Sequence, residues 1–367
     1  MKLDESVDLL KNMVDIYSPS GKEKKIASYI MEKMVDLGFR NVRSDRVGNV
    51  LGEWGTGSPT IMLCGHMDTI PGYLPVKVEE NKIFGRGAVD AKSSLAAMIS
   101  TPPGLKIEEN SGKVIVVCCV DEERKSKGIR QILKEKLSVD YAIFGEPSGL
   151  KGITIGYKGY LVLKVKCKTE AGHVGARGAF KNAIEEAYGL WNKMKSLLPE
   201  KGPSNGGFHS VTASLTGIKG GEAVNVTPST CTLTINVRLP PEINCEKGVE
   251  LFDSTISQFK LENPDVNFEM KVEDMIEPFI VERDTPLIRA LRWAIVNTAG
   301  GPVELLKKTG TGDMNIFWTY VKIPVATYGP GNSHLSHTWN EFVEINEYLA
   351  SIEVYRKTIT KILSLHA

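Results

Sequence analysis

Three carboxylates in a row, Asp121-Glu122-Glu123, close the wholly apolar run Val114 to Val120. Acidic groups crowded at the end of a buried strand repel one another and destabilise the fold unless cations neutralise them. Adjacent residues of an extended chain face different ways, so one glutamate can hold a metal while the other faces a reacting water. A solvated acidic turn balanced by Arg124, Lys125 and Lys127 is the plainer alternative and the less favoured one.

Other residues with the same chemistry follow apolar runs in the same manner. Gly65-His66-Met67-Asp68 comes directly after Ile61 to Cys64, and an extended chain puts His66 and Asp68 on one face. The Asp68 carboxylate could then accept the imidazole N–H and fix the tautomer that binds metal, although a capped turn with a solvated histidine explains this motif equally well. In Gly85-Arg86-Gly87-Ala88-Val89-Asp90-Ala91-Lys92, Asp90 heads a helix. Alone it reads as an N-cap, but a carboxylate bridging two cations would occupy the same place. Glu146 ends the run Tyr141 to Gly145, where a lone glutamate is ordinarily a loop residue. His334 and His337 follow Pro324 to Tyr328 and could both ligate, whereas His209 and His366 read as structural or solvated.

Two histidines and three carboxylates suit a pair of zinc-like ions sharing one bridge. Two such ions about 3.5–4 Å apart lower the pKa of a bridging water and clamp a tetrahedral intermediate, which is hydrolytic chemistry.

The elements that must position these residues alternate between strand and helix. A helix over Lys22 to Leu37 precedes strands at Thr60 to Cys64, Val114 to Val120 and Tyr141 to Phe144, with helices after Asp90 and near Ile129. This order predicts an α/β fold with a mixed, largely parallel central sheet flanked by helices. From Tyr160 the period changes to two. Strands at Tyr160 to Lys168, Ser210 to Leu215, Thr230 to Val237 and Val266 to Val272, with helices at Ala183 to Met194 and Leu251 to Phe259, spell strand, helix, strand, strand, helix, strand. We read 159–274 as an inserted α+β, ferredoxin-like domain, with 1–158 and 275–367 forming one discontinuous catalytic domain that ends in a helix over Ile345 to Leu363.

At 367 residues the chain has room for about two domains. Forty-five basic against forty-four acidic side chains, a net charge of +1, create no global field toward nucleic acid or an anionic membrane. No apolar stretch reaches the ~18 residues of a membrane span, and the N-terminus lacks a signal-like apolar core. The six cysteines form no C-x-x-C pair and read as free thiols of a reducing cytoplasm. A metal role for Cys118 and Cys119 is disfavoured because neighbouring strand residues point to opposite faces.

His66-Met67-Asp68, Gly87-Ala88-Val89-Asp90, Glu122-Glu123, Gly145-Glu146-Pro147 and His337-Thr338-Trp339-Asn340-Glu341 resemble, in order, the motifs of the M20 metallopeptidase and aminoacylase family. The likeness spans nearly the whole chain. It implies His66 and Glu146 on one metal, Glu123 and His337 on the other, and Asp90 bridging them. It also implies Glu122 as general acid/base and Asp68 as the partner of His66. Two Zn2+ per chain are implied, with Co2+ as a substitute. In the inserted domain, Ala171-Gly172-His173-Val174 resembles the family segment whose histidine reaches the partner subunit's site in a homodimer and holds the oxyanion. Asn225 and Arg238 resemble substrate-contacting positions. The family often has a serine where this chain has Gly312, in Thr309-Gly310-Thr311-Gly312-Asp313, so the Gly312 backbone N–H is the candidate replacement contact.

Lys307 to Asn315 and the His-Thr-Trp-Asn-Glu stretch look most similar to the lysine and ornithine deacylase branch. That branch implies an acylated amino acid, or a γ-glutamyl conjugate on a small acidic amino-group carrier protein, as substrate in lysine or arginine biosynthesis. The carrier would need a local basic rim such as Lys307 and Lys308. Two alternatives stay open within the fold: a dipeptidase or carboxypeptidase, and a succinyl-diaminopimelate desuccinylase-like deacylase. A metal-binding scaffold without catalysis is a third, against which the spare glutamate Glu122 argues.

Overall fold

Apolar runs without alternation need cover on both faces. Thr60–His66, Ser111–Cys119, Tyr141–Phe144 and Val325–Thr327 receive it in the computed structural model, which describes residues 3–176, 178–198 and 207–366. These four strands lie side by side and parallel at the middle of a sheet, in the order Ser111–Cys119, Thr60–His66, Tyr141–Phe144, Val325–Thr327. Register brings their carboxyl ends level: His66 pairs with Cys119, and Phe144 pairs with both Cys64 and Thr327. The sheet is thus mixed. Arg40–Ser44 and Val50–Gly57 extend it antiparallel on one side, and Gly152–Tyr157 on the other.

Helices supply the cover. Every residue of Lys92–Ser100 is buried; this helix packs on Thr60–His66 and is enclosed by Leu3–Asp15 and Ile345–Leu363. Its contact with the strand is close because Gly65 has no side chain, and a Cβ there would meet Leu95 Cδ1 at 3.3 Å. The terminal helix occupies the residues that its apolar spacing predicts.

The chain divides into two compact units, one of Met1–Ile155, Val281–Leu306 and Gly312–Ala367, the other of Gly156–Ile280 and Lys307–Thr311. In the second, Gly159–Lys168, Thr212–Gly220, Thr230–Leu239 and Asn267–Ile276 form an antiparallel sheet. In space the third strand lies beside the second, then the first, then the fourth, which is the ferredoxin-like order. The helices Ala183–Ser196 and Cys245–Glu262 begin at Asn182 and Asn244, whose side chains accept from Ile184 N and Lys247 N, each at 2.9 Å. That cap starts the second helix six residues before the predicted Leu251. Alternate strand residues, among them Leu161, Leu163, Leu233 and Ile235, join Leu190, Trp191, Phe252 and Ile256 in one core.

Leu163 is fully buried in that core. Leu163→Ala should therefore destabilise the protein by about 2–5 kcal/mol, read as a lowered urea midpoint; an unchanged midpoint would show that the core tolerates the cavity.

Candidate metal centre and active site

The level carboxyl ends of the four parallel strands bring four of the sequence motifs to one edge. His66 is the last residue of its strand, Glu122 and Glu123 follow Ser111–Cys119, Glu146 follows Tyr141–Phe144, and His337 lies beyond Val325–Thr327. Asp90 enters from the loop ahead of the buried helix. It does not cap that helix: the N-cap position is Ala91, without a side-chain bond. Instead the two Asp90 oxygens face different histidines, Oδ1 lying 3.3 Å from His66 Nε2 and Oδ2 3.4 Å from His337 Nε2. Glu146 Oε1 is 3.6 Å from His66 Nε2, and Glu123 Oε1 is 2.9 Å from His337 Nε2. One ligand atom each from His66, Asp90 and Glu123 lie within 4.8 Å of one another, and among the described residues this is the group able to hold a metal ion.

The His66 tautomer is set by its other nitrogen. Nδ1–H donates to the main-chain oxygen of Asp68 at 2.9 Å, which turns Nε2 toward Asp90 and Glu146. The Asp68 carboxylate, predicted to take that proton, stands 3.5 Å from Nδ1. Its oxygens are occupied elsewhere, accepting from Glu122 N (3.1 Å), Glu123 N (3.2 Å) and Ser20 Oγ (2.7 Å). Asp68 therefore braces the backbone of the glutamate pair as well as standing beside the imidazole.

Charge in the cluster is unbalanced. Burial alone would lower the His66 pKa, but the Asp68 carboxylate beside Nδ1, the Asp90 carboxylate at Nε2 and the nearby Glu146 and Glu122 carboxylates hold it well above the ordinary histidine range. Bonds to Asp90 and Glu123 lift His337 to about 10. Burial opposes ionisation of Asp90, yet the two imidazoles win and keep its carboxyl well below the usual range. Glu122 is pushed well above that range, by burial first and then by the charges of Glu146, Asp313 and Glu123, against the pull of His66. Two imidazoles facing Asp90, Glu123 and Glu146 form a donor set that divalent, zinc-like cations fit.

Two further side chains hold this arrangement, and sequence reasoning gave neither a role. Glu341, 1% exposed, accepts Gly87 N, Val89 N and Asp90 N on a single oxygen at 3.0–3.1 Å. Its other oxygen pairs with buried Arg86 at 2.8 Å. It thereby fixes the loop that carries Asp90. The signals were an arginine inside a Gly-rich loop and a glutamate closing the His337 motif. Gly87 turns at φ +86°, and a Cβ there would stand 2.9 Å from both Lys92 Cδ and Thr69 Cγ2.

Gly312 lies against Glu122, since a Cβ on it would be 3.3 Å from Glu122 Oε1. Its N–H, the candidate replacement for a serine contact, already donates to Asn315 Oδ1 at 3.0 Å. What Gly312 offers Glu122 is space. In the second unit His173 and Asn225 are neighbours: Gly172–His173 pairs with Val226–Thr227, and Val174 N donates to Asn225 O at 3.2 Å. Arg238 Nη1 donates to Thr311 Oγ1 at 3.2 Å, its guanidinium 5.4 Å from the centre of the Tyr160 ring. His334 sits exposed in the short helix Ser333–Leu335, and the close contacts of the cluster run to His337. His209 bonds Glu242 and Lys307, and His366 bonds Tyr141, as structural histidines do. All six cysteines are free and buried, and none joins the ligand cluster. No helix among the described residues is long and apolar enough to cross a membrane.

Known proteins share both the sequence and the architecture. Residues 62–361 match the model of Peptidase family M20/M25/M40. The chain is 32% identical to the LysW-lysine hydrolase of Deinococcus radiodurans, over 97% of this chain and 96% of that one. It is 31% identical to the LysW-lysine/LysW-ornithine hydrolase of Sulfurisphaera tokodaii, over 97% and 95%. In fold it resembles a tripeptidase from Staphylococcus aureus, with a TM-score of 0.83 and 19% identity over 99% of both chains.

Removing one partner of the buried Arg86–Glu341 pair strands the other charge and frees three amides. Glu341→Ala should cost about 3–5 kcal/mol of stability by urea unfolding; a loss under about 1 kcal/mol, the range of an exposed pair, would mean that the pair does not hold the loop.

Proposed function

We infer the activity from one premise: the chain belongs to Peptidase family M20/M25/M40 and is a hydrolase of that family. We propose that it cuts a linear amide bond with two zinc-class ions, releasing lysine or ornithine from an N-acyl group or from the γ-glutamyl end of a carrier protein. The observation that carries this reading is the Asp90 carboxylate with one oxygen toward His66 and the other toward His337. His66 and Glu146 would hold one ion, His337 and Glu123 the other, and Asp90 both. Such a pair of ions supplies a water ionised near neutral pH and a polarised amide carbonyl.

The remaining chemistry belongs to the protein. Glu122, turned differently from Glu123 and half-buried beside Gly312, takes a proton from the attacking water and returns it to the departing amine. Asp68 accepts the backbone amides of both glutamates and so steadies the turn that carries them. The family resemblance adds His173, acting in the site of a second copy of the chain, as a donor to the oxyanion. It adds Asn225 and Arg238 as substrate contacts, the guanidinium suited to bidentate grip of a carboxylate.

The names of the two relatives favour lysine or ornithine borne on the carrier LysW as substrate. A carrier-linked amino acid also fits a cytoplasmic biosynthetic enzyme. A peptidase reading stays in view because the fold is shared with a tripeptidase.

Metal analysis should find two ions per chain, chelation should abolish activity, and zinc or cobalt should restore it; full activity after exhaustive metal removal would sink the mechanism. Glu122→Gln should keep its metal and lose about 10²–10⁴-fold in kcat. Offered carrier-linked lysine, N-acetyl-lysine, N-acetyl-ornithine and dipeptides, the enzyme should prefer a lysine or ornithine conjugate, and a dominant dipeptidase rate would replace the biosynthetic reading.

A further inference from the structure

Ser20-Gly21-Lys22-Glu23, just before the helix Lys24–Asp36, has the Ser-x-x-Glu spacing of a helix capping box. Neither side chain caps the helix. Glu23 stands at the N-cap position without a bond to the helix's own amides. Its Oε1 instead accepts Gly21 N at 2.9 Å and, ninety-eight residues away, Asp121 N at 3.1 Å. Ser20 Oγ donates to Asp68 Oδ2, an oxygen that also accepts Glu123 N. The loop itself is pinned: Ser18 Oγ donates to Met67 O at 2.8 Å, Thr69 N to Ser18 O at 3.0 Å, and Ser20 N to Thr69 O at 3.2 Å.

Three consecutive amides, those of Asp121, Glu122 and Glu123, thus end on two buried carboxylates, Glu23 and Asp68. Asp121 needs such a hold. It adopts φ +62°, which an L-residue keeps only where its surroundings impose it. Among the described residues no hydrogen bond reaches its own carboxylate, which has instead a long ion pair, 3.8 Å from Oδ2 to the exposed Lys127 ammonium. A buried N–H left without an acceptor would favour rotation of this peptide and, with it, of the two residues that follow.

We propose that Glu23 is a positioning residue of the active site, a hydrogen-bond acceptor from the N-terminal loop that fixes the backbone from which Glu122 and Glu123 project. The proposal rests on the roles of those two glutamates given above. It assigns to Glu23 an acceptor function rather than a charge, so Gln should serve and Ala should not.

The test compares E23A and E23Q in the full chain, measuring kcat, KM and zinc affinity by chelator competition, each per folded, metal-loaded chain. E23A should lower kcat by about 10–100-fold and zinc affinity by about tenfold or more, with KM within about twofold. E23Q, whose amide oxygen accepts the same two N–H groups, should stay within about threefold of the parent on every measure. E23D, one methylene shorter, should behave as E23A and replaces it should E23A fail to fold. Parent-like kcat and zinc affinity in E23A, or equal damage in E23A and E23Q, would overturn the proposal. An active Glu122→Gln chain would instead overturn the mechanism, while the zinc affinities of E23A and E23Q would still report on the turn.

Discussion

Mutual repulsion of carboxylates at one edge of a buried parallel sheet is the constraint that organises this molecule. Asp90, Glu122, Glu123 and Glu146 converge there on two imidazoles, with Asp68 and Glu341 close behind. Five of these six acids fall into two classes, Glu122 standing apart beside Gly312. Asp68 and Glu341 accept backbone N–H groups, with Ser20 Oγ also on the first and Arg86 on the second, and act as braces, one on the glutamate turn and one on the Asp90 loop. Asp90, Glu123 and Glu146 turn oxygens to the histidines. Burial makes the division necessary, since an ion neither paired nor hydrogen-bonded in such a place is costly.

Much of this was legible in sequence because the strand ends are marked twice, by an unbroken apolar run and by an abrupt switch to His, Asp or Glu. The Glu122-Glu123 pair stood out from that mark, whereas His66 was balanced by a capped turn, and Glu146 outweighed by a loop reading, until their shared placement at strand ends was weighed. His337 was ambiguous beside His334, and spacing could not separate them; the turn at φ +66° that directs His337 is a backbone property with no residue signature. Asp90 looked like a cap because a carboxylate before a helix usually is one. Its two histidine partners lie 24 and 247 positions away in sequence, arithmetic from 66, 90 and 337 that no local pattern encodes.

The braces were illegible for the same reason. Glu341 reaches amides 251–254 residues back, and Glu23 one 98 residues ahead. In sequence Glu23 even carries the signature of a different job. The sheet hid something comparable: a mixed, largely parallel sheet was predicted from its central strands, while the antiparallel flanks, Val50–Gly57 and Gly152–Tyr157, were not among the strands read from sequence.

A site built this way separates chemistry from specificity. In the proposed reaction the ligand set and Glu122 would act on the reacting amide, and that chemistry is common to a lysine conjugate and a dipeptide. On that proposal discrimination falls to side chains that meet the rest of the substrate. Gly312 illustrates the boundary between the two sets. Its N–H is committed to Asn315, so a side chain added there would gain no backbone contact with substrate and would crowd Glu122 Oε1 at 3.3 Å. A side chain at this position would therefore require the Glu122 carboxylate to give way by a few tenths of an ångström.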